Sequence, residues 1–221
     1  MGNDAARPGR GWFITIEGPD GAGKTLVAER LRQPLADLGF DVLVTREPGG
    51  TAVGEAVRRL VLDHESTDRA HDPRTDALLF TAGRAQLIAE VVRPALREGR
   101  LVLGTRHADS TLAYQGFGGG LPRAGLDTLQ AFATDGLRPD LTVLLDVPAE
   151  IGLGRKQVDE QTRFETSFDL DFHRRVRDGY LALAAAEPER FRTIDATQPI
   201  DTVVAAALAA IRARVGAPTE P

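Results

Sequence analysis

The chain of 221 residues contains no cysteine, which excludes disulfides and thiolate metal sites. No apolar run approaches the roughly 20 residues a membrane helix requires. The opening stretch, MGNDAARPGRG, lacks the hydrophobic segment of a signal peptide. A cytoplasmic protein without a membrane partner is therefore expected. Positive charge is also in short supply. A net charge of −5 argues against a nucleic-acid binder that works by neutralising backbone phosphates, while leaving room for a local basic pocket. Lysine occurs only at Lys24 and Lys156, and arginine supplies the other cations. Length and an ordinary apolar content suit one soluble domain around a single core.

Short apolar runs alternate with helical patterns. The strand candidates are 12–17, 41–45, 101–104, 141–146 and 191–195. Each is compact and non-alternating, as expected of strands covered on both faces. Helices are expected near 23–38, 50–63, 75–98, 123–134, 149–157, 169–186 and 199–214. This order predicts an α/β fold: a five-stranded parallel sheet between two helical layers, with ligands at the carboxyl ends of the strands. Residues 1–11 and 216–221 read as disordered tails flanking one domain over 12–215.

Within FITIEGPDGAGKTLVAERL (13–31), the segment Gly18-Pro19-Asp20-Gly21-Ala22-Gly23-Lys24-Thr25 has the form G-x-x-x-x-G-K-T between a strand and a helix. Glycines let backbone N–H groups approach phosphate oxygens, and the following helix adds its positive dipole end. Lys24 then reaches the β and γ phosphates, and the Thr25 hydroxyl is a ligand for Mg²⁺. This loop predicts the P-loop NTPase fold but serves motors, GTPases, ATPases and kinases alike. GTPase sequences of the N-K-x-D type are absent, so a small-molecule kinase is the economical reading.

Further segments narrow it: TREPGGT (45–51), LLFTAGRAQL (78–87), GTRHADSTLAYQG (104–116), RPDLTVLLDV (138–147) and RFETSFDLDFHRRVRDGYLALA (163–184). In this order and spacing they resemble the bacterial thymidylate kinase family, over essentially residues 12–212. The resemblance implies transfer of the ATP γ-phosphate to dTMP, Mg²⁺ dependence, a short lid near 154–166 and a homodimer, with the apolar 77–92 helix as candidate interface.

Phe80 and Arg84 are four apart and share a helix face. Read alone, they suit core packing beside a solvated arginine. In the family pattern Phe80 stacks on thymine and Arg84 donates to a base oxygen. Arg106 resembles the arginine that grips the acceptor phosphate, and a planar guanidinium suits that oxyanion. Likewise, Thr111 and Gln115 face the base, with Ser110 nearby, and Tyr114 crowds the 2′ position of the sugar. Asp20 matches an acid near the 3′-hydroxyl, and Glu47 and Pro48 a loop closing over sugar and phosphate. Arg155, Lys156 and Arg163 are lid cations. With Ala22 in the phosphate loop, the cation that neutralises the transition state comes from this lid. Glu165 resembles a carboxylate near the metal, and Asp195 lies where the family wraps adenine; a turn acid is the plainer reading of Asp195. The four histidines read as surface residues, with His107 alone near the site.

Three departures fall on the donor side. Thr105 stands where the family usually has aspartate, Leu26 where a hydroxyl is usual, and the slightly short lid carries Gln157 and Asp159 where basic residues are common. They imply firm dTMP binding with weaker Mg-ATP binding or slower turnover. Two alternatives stay open: a kinase for another deoxynucleotide, and a kinase-derived nucleotide-binding protein with weak or no turnover.

Overall fold

The computed structural model describes residues 10–62, 71–155, 162, 164 and 168–216. Five parallel strands, β1 (Trp12–Glu17), β2 (Val42–Arg46), β3 (Leu101–Thr105), β4 (Leu141–Asp146) and β5 (Phe191–Asp195), form one sheet in the order β2-β3-β1-β4-β5. The helices are α1 (Lys24–Asp37), α2 (Ala52–Leu62), α3 (Pro73–Leu87), α4 (Arg93–Arg97), α5 (Ala108–Thr111), α6 (Arg123–Thr134), α7 (Ala149–Gly154), α8 (Leu170–Ala186) and α9 (Ile200–Val215). The expected three-layer architecture and all five strands are present.

Alternation along β1 builds the layers. Ile14 and Ile16 pack with Leu31, Leu35, Ala207 and Ile211 of α1 and α9, while Phe13 faces Leu87, Val92 and Leu96. Tyr180, Phe172 and Val176 of α8 build a further cluster with Tyr114 and Leu144. Central position makes β1 apolar on both faces, so its last residue, Glu17, is a carboxylate carried into the interior with no exposed surface.

Local chemistry sets the helix starts. Asp72 caps α3 by accepting from the Arg74 N–H, with Pro73 in the first turn, and Asp169 caps α8 through the Phe172 N–H. The helix expected over 75–98 therefore begins at Pro73 and runs to Arg97, passing through a π-helical turn at Ile88–Val92. A second π-helical stretch, Leu112–Gly118, follows α5 and carries Tyr114 and Gln115. No helix was expected over that segment. Gly11, expected in the N-terminal tail, is tied down by an N–H bond of 2.8 Å to the Leu96 carbonyl.

Candidate active site

The carboxyl ends of β1, β2, β3 and β5 border a cavity of about 790 Å³. At one end lies the phosphate loop. Gly18, Gly21 and Gly23 have positive φ of 144°, 73° and 85°, which lets the chain curl beneath α1. Lys24 Nζ donates to the carbonyls of Gly18 (2.9 Å) and Pro19 (2.6 Å), folding over the loop. Thr25 and Leu26 are exposed and line the cavity, as do Ala22 and Gly23. The loop leans on α7: a Cβ on Gly21 would lie 1.8 Å from the Gly152 carbonyl oxygen, and one on Gly152 2.3 Å from that of Asp20. Only paired glycines allow this approach between the phosphate loop and α7. Arg155, just past α7, donates to the Ala196 carbonyl at 2.9 Å.

At the other end lie Glu47, Pro48, Phe80, Arg84, Arg106, Ser110, Thr111, Tyr114 and Gln115, all lining the same cavity, with Asp20 and Thr105 between the two ends. Arg84 is 2 % exposed, not solvated. Its Nη1 donates to Thr111 Oγ1 (3.1 Å) and to Gln130 Oε1, and Nη2 to the His107 carbonyl (2.8 Å). Nε lies 2.8 Å from Glu47 Oε2 but misaligned, so that contact is an ion pair rather than a hydrogen bond. One N–H of Nη2 is left over among the described residues.

Glu47, expected in a loop closing over sugar and phosphate, is buried between Arg84 and His107. Burial alone would raise its pKa; the Arg84 guanidinium and the His107 ring beside it outweigh that and hold it below the ordinary carboxylate range. Since a carboxylate only accepts, His107 Nδ1 carries the proton in their 2.9 Å bond. The expectation of surface histidines is corrected here: His107 is 1 % exposed with its ring edge-on to Phe13, and His173 is 2 % exposed within α8.

Arg106 has φ of 66°, a left-handed conformation unusual for a side-chain-bearing residue and costing about 1–3 kcal/mol. Its N–H bonds the Ile16 carbonyl at 3.0 Å, and the strained backbone turns the guanidinium into the cavity. There it meets Asp20 Oδ1, Tyr114 OH (3.1 Å), Ser110 Oγ (3.3 Å) and Tyr180 OH (3.5 Å), lying over the Tyr114 ring. Burial opposes its charge, but Tyr114, Asp20 and Tyr180 push its pKa well above the usual value. Behind them, Glu17 accepts from the His107 N–H (2.6 Å), Ser110 Oγ (2.6 Å) and Tyr180 OH (3.0 Å).

Gly18 and Pro19, the first residues of the loop, do not line the cavity. Asp195 also stands outside it: its carboxylate accepts from the Thr197 N–H (2.9 Å), Thr197 Oγ1 (2.6 Å) and Gln198 Nε2 (2.8 Å), closing its own turn, and the neighbouring Ala196 and Gln198 line the cavity instead. Lys156, Gln157, Asp159, Arg163 and Glu165 lie outside the described residues.

A family model described as thymidylate kinase matches residues 16–207. A thymidylate kinase of Roseiflexus castenholzii is 47 % identical over 204 residues, covering 86 % of this chain and 88 % of its own length. One of Thermomicrobium roseum is 49 % identical over 202 residues, covering 90 % and 94 %. The chain belongs to the thymidylate kinase family. A crystal structure of thymidylate kinase from Ehrlichia chaffeensis superposes with a TM-score of 0.73 at 30 % identity, covering 91 % of this chain and 99 % of that one.

Several residues of this thymidylate kinase fold escaped the sequence reading. Arg46, Arg58 and Phe164 line the cavity, and Phe164 packs against Phe80 (6.0 Å) and Tyr114 (5.8 Å). Glu17, Tyr180 and Gly152 support it from behind. Glu17 carried a signal: an acid ending a strand predicted to be buried on both faces requires partners. Tyr180 carried none, being one aromatic among the apolar positions of a helix.

Proposed function

We propose that the protein is an ATP-dependent dTMP kinase. An oxygen of the dTMP phosphate attacks the γ-phosphorus of ATP, the bond from that phosphorus to the β–γ bridging oxygen breaks, and dTDP and ADP leave. The observation that carries this reading is a single cavity with a phosphate loop at one end and Phe80, Arg84 and Arg106 at the other. In-line transfer requires the two phosphates to meet between such ends.

Phosphoryl transfer needs little covalent help; alignment and screening of repulsion supply most of the acceleration. The acceptor phosphate is already ionised, so no general base is invoked. Backbone N–H groups of Gly21–Thr25 and the Lys24 ammonium hold the ATP phosphates. Arg106 grips the acceptor phosphate, while Phe80 stacks on thymine and the remaining Arg84 N–H meets a base oxygen. Thr111 and Gln115 border the base, Tyr114 excludes a 2′-hydroxyl, Asp20 meets the 3′-hydroxyl, and Glu47 and Pro48 cover the sugar. Arg155, Lys156 and Arg163 supply lid cations, and Asp195 shapes the adenine wall.

Mg²⁺ fits as an ion carried mainly by ATP. The Thr25 hydroxyl lines the cavity with no partner among the described residues, and no cluster of three acids or histidines stands among them to cage a metal. Thr25 and Glu165 would hold it, and when bound it screens the phosphate oxygens. Among the described residues no helix is long and apolar enough to cross a membrane. Nucleotide substrates suit a cytoplasmic enzyme. A homodimer is supported by exposed Leu78 of α3 and Phe132 of α6, helices joined by Gln130–Thr81.

A coupled ADP-release assay across nucleoside monophosphates tests the reading. Fastest turnover is expected with dTMP. A different best acceptor points to another deoxynucleotide kinase, and binding without turnover to a non-catalytic nucleotide-binding protein.

A further inference from the structure

Resting on that reading, we propose that Glu17 and Tyr180 are positioning residues for the acceptor phosphate, acting through Arg106. Neither lines the cavity, and neither belongs to the phosphate loop or to the residues that meet thymine.

The argument starts from Glu17, a carboxylate with no exposed surface at the end of the central strand. It accepts from three donors: one backbone N–H and the hydroxyls of Ser110 and Tyr180. When ionised, as at pH 8, this carboxylate accepts and never donates. The protons of the two hydroxyls, which also lie 2.8 Å from each other, therefore run inward towards Glu17. Their oxygens are left with lone pairs turned to Nη1 of Arg106, at 3.3 Å from Ser110 and 3.5 Å from Tyr180. On its other side Nη2 is held by Asp20 and by the Tyr114 hydroxyl. The guanidinium is thus clamped between Asp20 and Tyr114 on one side and Ser110 and Tyr180 on the other, and only the second pair depends on Glu17.

Arg106 needs such a clamp. It has four rotatable side-chain bonds, a strained backbone and a ligand of two negative charges that must be placed in line with ATP. Orientation of a fork by fixed acceptors reduces the freedom lost when phosphate binds. Tyr180 extends this support across the fold, since α8 brings its hydroxyl to β1 from 163 residues away in sequence.

The test compares dTMP with thymidine, which offers the same base and sugar without the phosphate. Equilibrium binding is measured at pH 8 for the full chain and its Tyr180→Phe and Glu17→Gln variants. Tyr180→Phe keeps the ring that fills the core. Loss of one hydrogen bond of ordinary strength from the support of Arg106 is expected to weaken dTMP by about five- to tenfold. Thymidine affinity and the KM for ATP stay unchanged. Glu17→Gln replaces an obligate acceptor by an amide that can donate, and a similar selective loss is expected. Unchanged dTMP affinity in Tyr180→Phe, or equal losses of dTMP and thymidine, overturns the proposal, whatever becomes of the folding of Glu17→Gln. If the unsubstituted protein binds thymidine as tightly as dTMP, the kinase reading fails instead.

Discussion

At the acceptor end, Arg84 and Arg106 are each held by side chains drawn from distant segments: Glu47, Thr111 and Gln130 for one, Asp20, Ser110, Tyr114 and Tyr180 for the other. At the donor end, Lys24 rests on backbone carbonyls, Thr25 and Leu26 stand exposed, and shape comes from glycines packed against Gly152. Side-chain chemistry thus defines the acceptor pocket, whereas backbone geometry defines the donor loop. Of the departures from the family pattern, Leu26 follows the phosphate loop and Thr105 lines the cavity between its two ends; in the proposed reading, backbone N–H groups of that loop do most of the holding. A substitution there removes a helper. The same change at the acceptor end would leave a buried partner unsatisfied.

The largest test of this contrast is Arg106→Ala. It removes the cation proposed to grip the acceptor phosphate and leaves Asp20 without the guanidinium it meets. Loss of one such donor to a charged oxygen costs on the order of 10²–10³ in rate. Steady-state kinetics are expected to show that loss in kcat/KM for dTMP, with KM for ATP little altered. An equal rise in the ATP KM would break the division between the two ends.

Next in size is the acid buried behind Arg106. Burial, with Asp109 adding to it, raises Glu17 from 4.5 to about 7, against the Ser110 and Tyr180 bonds and Arg106. Between these values the folded protein keeps a proton that the unfolded chain has released. Stability therefore falls as pH rises through that window and levels off above it. Glu17→Gln lacks this term. The stability advantage of the unsubstituted protein over the variant should shrink between pH 5 and pH 8, by up to about 3 kcal/mol. Thermal melts at several pH values measure it, and an advantage that grows with pH would show that Glu17 ionises readily in the folded state.

Thr105→Asp probes the donor side. Thr105 is buried at the end of β3, lining the cavity beside the phosphate loop. A carboxylate there would orient metal-bound water, and restoring such a partner is worth on the order of tenfold. A higher kcat or a lower KM for Mg-ATP is expected. No gain in either would mean that the loop backbone already supplies what the acid provides in relatives.

The same contrast explains what was legible in the sequence. Strands covered on both faces announced themselves as compact apolar runs, and the glycine spacing of the phosphate loop encodes its own backbone shape. Such features are local. The aromatic and guanidinium groups of the acceptor pocket were readable only as parts of a family pattern, because Phe80 or Arg84 alone looks like ordinary packing or a solvated charge. Glu17, Tyr180 and Gly152 stayed hidden for a different reason. Each acts through contacts between segments more than 80 residues apart, which no spacing along the chain encodes. His107 was misplaced at the surface for the same reason, since its burial follows from Glu47 and Phe13 closing over it.

Asp195 offers the smallest expected effect and the sharpest one for the donor end. Two pictures of this residue differ in what the carboxylate touches. If it grips adenine directly, removing its charge weakens ATP by about tenfold, as for a hydrogen bond to a charged group. In the observed turn, however, both oxygens are taken up by Thr197 and Gln198, and these bonds hold its pKa below the usual carboxylate range. The carboxylate then acts only by holding Gln198 at the cavity wall. Asp195→Asn keeps an oxygen for the Thr197 N–H, so the turn persists and only the second oxygen's bond to Gln198 is weakened. At this exposed position its loss is expected to change the KM for ATP by only roughly a factor of two. A tenfold rise would place side-chain recognition at the donor end too, and the division between a backbone-built and a side-chain-built half of the cavity would no longer hold.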